Sequence, residues 1–389
     1  MIQFNNTEIA FKSKSKKELL HAKYLFKSIE KPWLVKFGSL MLVVAIFFKI
    51  PIKWILRPVF NHFCGGETIF ECESTILALG KNEIGSILDY SAEGNNKESD
   101  FEIVMLELLK VIESSKTNKN IPFAVFKLTG IARFALLEKL NSSQELNSEE
   151  MLEFEKLKLR IDNICNAAFQ AELPVFIDAE ERWIQNAIDM LVVQMMQKYN
   201  KQKAIVFNTL QMYRHDRIDF LKMNIEQAKA QQYFIGLKLV RGAYMEKERE
   251  RAKNMGYLSP IHINKEYTDK DYDKALEICV AENNLISFCA GSHNEESNAL
   301  LVSLISEKNI EKNDKNIYFA QLLGMSDHIS YNLAHNGYNV AKYVPYGPLK
   351  SVMPYLIRRA QENTSIAGQT GRELNLIKDE LKRRNYSEI

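Results

Sequence analysis

The sequence contains no GxGxxG, no CxxC, no HExxH and no apolar run of membrane-spanning length, and each absence removes a class of protein. Without the glycine fingerprint, an open doubly wound sheet loses its usual sign of a bound nucleotide. The five cysteines (Cys64, Cys72, Cys165, Cys279, Cys289) are odd in number, scattered and not at zinc spacing, which fits a reduced, cytoplasmic compartment. His21, His62, His215, His262, His328 and His335 form no ligand pattern and read as surface or core residues, so no metal is expected. Asp269, Asp271 and Asp273 imitate the opening of a calcium loop, but Lys274 stands where glycine is required and Val280 where the closing glutamate belongs. The 51 basic and 49 acidic side chains leave a net charge of +2, so no overall field holds nucleic acid. Within the apolar stretch Pro32 to Phe60, the unbroken core runs only from Leu40 to Phe48, short of the roughly 20 residues of a spanning helix. That stretch reads as a packed helix pair, with an interfacial, peripherally membrane-touching helix as the alternative. Glu8, Glu18 and Glu30 argue against a transit peptide.

What is present is a rhythm. Beyond residue 80, short β-rich apolar runs alternate with segments of helical period, which predicts βα units around a parallel sheet. The candidate strands are Ile84 to Tyr90, Phe123 to Leu128, Pro174 to Asp178, Ala204 to Asn208, Ile235 to Val240, Leu285 to Cys289, Asn316 to Ala320 and Asn339 to Val344. Between them, apolar residues fall at helical spacing in Phe101 to Ile112, Met151 to Phe169, Trp183 to Met196, Ala275 to Ala281 and Glu295 to Ile305, and Leu349 to Asn363 follows the last strand. Eight such units favour an α/β fold of the closed (β/α)8 TIM-barrel type over an open sheet. Residues 1–80 form an N-terminal helical accessory segment and 81–389 the barrel, with Gly65 and Gly66 marking a turn and Lys81 and Asn82 a short linker.

Chemistry in such barrels collects at the C-terminal ends of the strands. Here those ends carry Asp89 and Glu93, Lys127, Asp178, Gln211, Lys238 and Arg241, Ser292 and His293, and Tyr343. A single charge near a strand end is commonly an ion pair or a cap. Several converging on one small volume are costly unless a ligand or a partner satisfies them. A second concentration lies in YLIRRAQEN, where Tyr355, Arg358, Arg359 and Glu362 follow helical spacing. Paired arginines beside a tyrosine suit a carboxylate, because a guanidinium offers a fork of donors. The bland alternative is a solvated basic helix end with Arg358 and Glu362 as an i,i+4 pair.

These blocks resemble the proline dehydrogenases. The resemblance runs from about Trp54 to Arg384 through LDYSAE, FKLTG, IDAEE, NTLQMY, KLVRGAYMEKER, SHN, QLLGM, YVPYG and YLIRRAQEN, in that order. It is nearer the monofunctional, eukaryotic-like branch than the long bifunctional enzymes. The resemblance implies FAD-dependent oxidation of L-proline to Δ1-pyrroline-5-carboxylate, with hydride passing from ring C5 to flavin N5. It places Asp178 and Lys238 at catalytic positions, although many relatives carry arginine where Lys238 stands. Lys127, Arg358 and Arg359 would grip the substrate carboxylate, and Tyr343 and Tyr355 would wall its ring. Ala179, Gln211, Val240, Arg241, Gly242, Ala243, Ser292 and His293 match FAD-contacting positions. Glu93 matches a gate carboxylate that pairs with Arg358, and Glu362 is grouped with that gate.

The resemblance further implies a membrane quinone as electron acceptor and handover of product to a pyrroline-5-carboxylate dehydrogenase. It allows a peripheral site on the inner face of a membrane, the mitochondrial inner membrane if the source is eukaryotic, with 32–60 as the contact. No group is assigned as base for the substrate amine; Asp178 reads better as an orienting partner for Lys127. Two rivals stand beside this reading. One is a hydroxyproline dehydrogenase, against which the bulk of Tyr343 argues. The other is a flavin-free amino-acid-binding barrel.

Overall fold

In a computed structural model, which describes residues 2–29, 53–91, 96–349, 351–353, 355–356 and 369–385, eight parallel strands close a barrel in sequence order. They are β1 (Ile84–Tyr90), β2 (Ala124–Lys127), β3 (Val175–Asp178), β4 (Val206–Gln211), β5 (Ile235–Val240), β6 (Ile286–Gly291), β7 (Ile317–Leu322) and β8 (Val340–Tyr346). All eight expected strands are present, with β4, β6, β7 and β8 extending two or three residues further toward their C-terminal ends. Polar or small residues among those added, such as Thr209, Gln211, Ala290, Gly291 and Gln321, interrupt the apolar run while the ladder continues.

Among the described residues, four helices precede the barrel: α1 (Thr7–Ala10), α2 (Lys16–Ile29), α3 (Lys53–Phe63) and α4 (Ile69–Gly80). Outside the strands lie α5 (Glu98–Ser115), α6 (Phe134–Asn141), α7 (Ser148–Gln170), α8 (Arg182–Tyr199), α9 (Arg217–Gln231), α10 (Met245–Met255), α11 (Lys265–Ala281), α12 (Glu295–Glu307) and α13 (Asp327–His335), and a terminal helix α14 (Gln369–Arg383) follows. Side-chain caps start several of them. Asn147 and Glu150 form a reciprocal capping box on α7, Thr68 caps α4, and Asn264 and Asn294 cap α11 and α12. The expected Ala275 to Ala281 is only the end of α11, whose first half is too charged to display the apolar period.

Strand periodicity builds the site. Ile87, Val125, Phe176 and Phe207 face the barrel axis in one apolar cluster, with Phe123 stacked on Phe176 at 4.3 Å and Phe207 edge-on to it at 5.4 Å. Two residues further along each strand the same face presents Asp89, Lys127, Asp178 and Thr209, and on β4 a further step presents Gln211. An aromatic floor therefore carries a polar layer directly above it. Register aligns that layer across strands: Lys127 pairs with Asp178, Thr209 with Lys238, and Leu322 with Tyr343.

The terminal segments are built onto this barrel. Phe11, Leu19 and Phe26 share a buried cluster with Leu374, Ile377 and Leu381 of α14. Phe60, Phe63 and Cys64 pack with Met325, Leu349 and Val352. Gly65 and Gly66, expected as a turn, also run beside β8, with the Gly65 N–H donating to Pro345 at 2.9 Å and the Gly347 N–H to Gly66 at 3.1 Å. The expected helix pair in Pro32 to Phe60 falls mainly outside the described residues, apart from α3. Among the described residues no helix is long and apolar enough to cross a membrane.

Candidate active site

A cavity of about 680 Å³ opens at the C-terminal ends of the strands. Asp178, at the end of β3, is its electrostatic centre. One carboxylate oxygen is bonded to the Lys238 ammonium of β5 and accepts from the Tyr343 hydroxyl of β8 at 3.2 Å, while the other lies 3.5 Å from the Lys127 ammonium of β2. Lys238 also donates to the Tyr343 oxygen at 2.6 Å, and its ammonium lies 4.5 Å from the centre of that ring. Asp89 of β1 stands 3.8 Å from Lys127. Two ammoniums and two carboxylates thus compensate one another, and all four line the cavity.

Burial alone would raise the Asp178 carboxyl, but Lys238 and Lys127 outweigh it and hold Asp178 below the ordinary carboxylate range. Burial, with Asp178 beside it, pushes the Tyr343 phenol well above its usual value. At neutral pH Asp178 is ionised and Tyr343 protonated, so the first orients lysines and the second donates a hydrogen bond.

Beyond the inner group, β5 leads into Arg241–Gly242–Ala243, all on the cavity wall. The Arg241 guanidinium donates to Asp269 at 2.7 Å, Ser292 at 2.8 Å and Ser297 at 2.9 Å, and lies 4.4 Å from the centre of the Tyr272 ring. It ties β5 to α11 and α12. Gly242 has φ +127°, and a Cβ there would lie 2.6 Å from the Tyr213 ring, so only glycine lets the chain turn along this wall. Gln211 is buried, and its Oε1 has no hydrogen-bond partner among the described residues while its side chain lines the cavity. Such an orphaned acceptor calls for a ligand donor.

Ala179, Val240, Ser292, His293 and Tyr355 also line the cavity. Arg358, Arg359, Glu362 and Glu93 lie outside the described residues, as does most of the expected helix Leu349 to Asn363; its described residues are helical. Several motif residues hold other motifs in place. Glu180 accepts from the Thr129 N–H at 3.1 Å and from its hydroxyl, and burial pushes its carboxyl up to about 8. Asn294 of SHN is the cap of α12. The three aspartates that imitate a calcium loop lie on α11, engaged by Arg241, His262 and Ser297.

Residues not singled out from the sequence complete the outer wall: Glu295, His328 and Arg372. His328, read as a bland histidine, is buried and donates from Nε2 to Glu295 at 3.1 Å, and Arg372 donates to the same carboxylate at 2.9 Å. No local motif marks them, because they meet from three distant segments.

A family description, Proline dehydrogenase, matches residues 72–372. Proline dehydrogenase 1, mitochondrial, of Dictyostelium discoideum is 34% identical over 381 residues, covering 86% of this chain and 67% of that protein. Its Drosophila melanogaster namesake is 39% identical over 258 residues, covering 64% of this chain but only 38% of that one. The hydroxyproline dehydrogenase of Xenopus laevis is 30% identical over 419 residues, covering 97% and 89%. Among solved structures, proline utilization A from Bdellovibrio bacteriovorus, inactivated by N-propargylglycine, superposes with a TM-score of 0.74 at 20% identity, covering 87% of this chain and 36% of that one. At that identity the likeness supports the barrel.

Proposed function

Because the chain belongs to the proline dehydrogenase family, we propose that it binds FAD in the barrel-mouth cavity and oxidises L-proline to Δ1-pyrroline-5-carboxylate. The observation that carries this reading is the neutral cluster of Lys127, Lys238, Asp89 and Asp178 beneath a wall that contains an orphaned amide oxygen, Gln211 Oε1. The residues fit a flavin: a polar amide without a partner, a glycine turn that keeps side chains off the wall, and a buried ammonium at the cavity floor. Gln211, Val240, Arg241, Gly242, Ala243, Ala179, Ser292 and His293 would hold it. Bound there, FAD supplies the acceptor for the electron pair that leaves ring C5.

The chain's own residues supply position and charge. With its inner group already neutral, the described cavity has no surplus cation for a substrate carboxylate. Arg358 and Arg359, joined by Lys127, would provide it, with Glu93 and Glu362 closing the arrangement as a gate. Tyr343 and Tyr355 present apolar faces to the pyrrolidine ring. Lys238, neutralised on one side by Asp178, stabilises negative charge that develops above it. Ionised Asp178, bonded to two lysines, is a poor acceptor for the amine proton.

Hydroxyproline is the specific rival, given the Xenopus relative. Tyr343 weighs against it. Its hydroxyl is held by both Lys238 and Asp178, so the phenol cannot swing aside for a 4-hydroxyl group. The electrons would pass to a membrane quinone and the product to a pyrroline-5-carboxylate dehydrogenase. The barrel, 81–389, would work peripherally at a membrane, with 32–60 in the accessory segment 1–80 as the contact, and at the mitochondrial inner membrane if the source is eukaryotic; relatives named as mitochondrial support a mitochondrial setting in that case. Anaerobic addition of L-proline to the purified protein should bleach the flavin, faster than trans-4-hydroxyproline does. A flavin that stays oxidised would refute the reading, and a protein that never takes up FAD would favour a silent binding barrel.

A further inference from the structure

The turn between β7 and α13 connects the cavity to the C-terminal helix. Within it Gly324 and Ser326 both have positive φ, +76° and +52°, and the second is a conformation that a serine adopts only when its surroundings hold it. What holds it comes from α14. The buried Glu373 carboxylate accepts the Ser326 backbone N–H through both oxygens, at 2.8 and 3.1 Å. From the other side of the same residue, the Ser326 hydroxyl meets Nδ1 of His293 at 2.9 Å, and the Leu322 N–H points at Nε2 of that ring at 3.5 Å. These contacts place the His293 proton on Nδ1, donating to Ser326.

A second chain runs parallel to the first. Arg372, adjacent to Glu373 on α14, donates to Glu295 at 2.9 and 3.4 Å, and Glu295 accepts from Nε2 of His328. His328 is left with a buried Nδ1 that has no partner among the described residues. Both imidazoles line the barrel-mouth cavity. The family match ends at residue 372, so Glu373 is the first residue beyond it.

We propose that the C-terminal helix is part of the cofactor site, with Glu373 acting through Ser326 and Arg372 acting through Glu295 as positioning residues for the two wall histidines, His293 and His328. The inference rests on the FAD reading above and extends it to a helix outside the barrel. Removing the carboxylate frees Ser326 from its left-handed conformation and His293 from its tautomer, while the fold of the strands remains.

The test is FAD retention by the holoenzyme, measured as the flavin-to-polypeptide ratio after purification and as the rate of FAD release on dilution, followed by flavin fluorescence. Glu373→Ala should speed release by about 10- to 100-fold, the range found when outer partners of metal-holding imidazoles are removed. Glu373→Gln keeps a carbonyl acceptor for the Ser326 N–H and should stay within about threefold of the parent. Ile377→Ala loosens the packing of the same helix without touching the chain of contacts, so it should lower stability and leave release unchanged. Should Glu373→Ala fail to fold, Ser326→Ala and Arg372→Ala carry the test, each expected to speed release and to alter the visible circular dichroism of the bound flavin. Parent-like release in Glu373→Ala overturns the inference, as does equal weakening in Glu373→Gln and Ile377→Ala. A parent protein that binds no FAD overturns the functional reading itself.

Discussion

Asp178→Asn is the perturbation whose size the structure defines best. Asp178 lies 3.5 Å from Lys127 and is bonded directly to Lys238. At an effective dielectric constant of about 20, a charge pair at that distance is worth about 5 kcal/mol. Asparagine keeps the shape and removes that attraction, leaving two buried ammoniums with Asp89 as the one remaining carboxylate of the group. Removing one partner of a buried charge pair costs about 3–5 kcal/mol, because it leaves the other charge uncompensated, so the variant should lose roughly 3–5 kcal/mol. Urea denaturation of parent and variant at pH 7, on flavin-stripped protein so that ligand linkage adds nothing, reads the difference. A deficit under about 1 kcal/mol would refute the account of the cluster as a compensated buried charge group.

Other consequences are as direct. Gly242→Ala combines a φ of +127° with a Cβ 2.6 Å from the Tyr213 ring, so it should cost about 1–3 kcal/mol and lower the flavin content of the purified protein; normal content would show that the turn does not shape the cofactor wall. Tyr343→Ser removes the phenol fixed by Lys238 and Asp178, so the ratio of kcat/KM for trans-4-hydroxyproline over L-proline should rise at least about tenfold, and a constant ratio would remove Tyr343 from specificity. His62 is buried and donates to the Gly324 carbonyl at 3.0 Å, and burial lowers its pKa to about 4. The folded state therefore needs neutral imidazole, so its contribution is complete above about pH 6.5 and about 2 kcal/mol of it is lost by pH 5. Denaturation of His62→Phe beside the parent at pH 7.5 and 5 measures that share, which should disappear in the variant.

How legible each part was depends on how local its cause is. The eight strands follow from β-branched and aromatic runs between polar breaks, and every one was readable. Strand ends such as Asn208 to Gln211 were truncated because polar residues that face a cavity look like loop in a linear pattern, although they remain in the ladder. The inner cluster was readable as a convergence of polar residues after successive strands, because period two and a closed barrel force them onto one face. Its pairing was not: that Lys238 bonds Asp178 and Tyr343, with Lys127 on the opposite carboxylate oxygen, depends on rotamers and on register across four strands. The Glu295, His328 and Arg372 group was invisible for a different reason. Each residue is unremarkable in its own segment, and only docking of α14 on the β7–α13 turn brings them together.

The charge balance of the cavity bears on how the two ends of a substrate would be recognised. Lys127 and Lys238 are answered by Asp89 and Asp178, and Arg241 is answered by Asp269. A carboxylate entering this described part meets no net positive charge, whereas a small apolar ring meets the prebuilt faces of Tyr343 and Tyr355. On the proposed reading, ring fit is thus set by the strands, and carboxylate capture waits on Arg358 and Arg359. Neutralising either arginine should then raise KM for L-proline, by about 10- to 100-fold for a lost charge-assisted bond, while a ring lacking the carboxylate should discriminate poorly between parent and variant. Weakening at the cluster should do the reverse. In Asp178→Asn the cavity loses one carboxylate from a balanced group, so a non-reacting ring carboxylate should bind at least as tightly as to the parent while flavin reduction slows by about 100-fold. Parallel loss of binding and of reduction would show instead that one and the same set of charges serves both ends of the substrate.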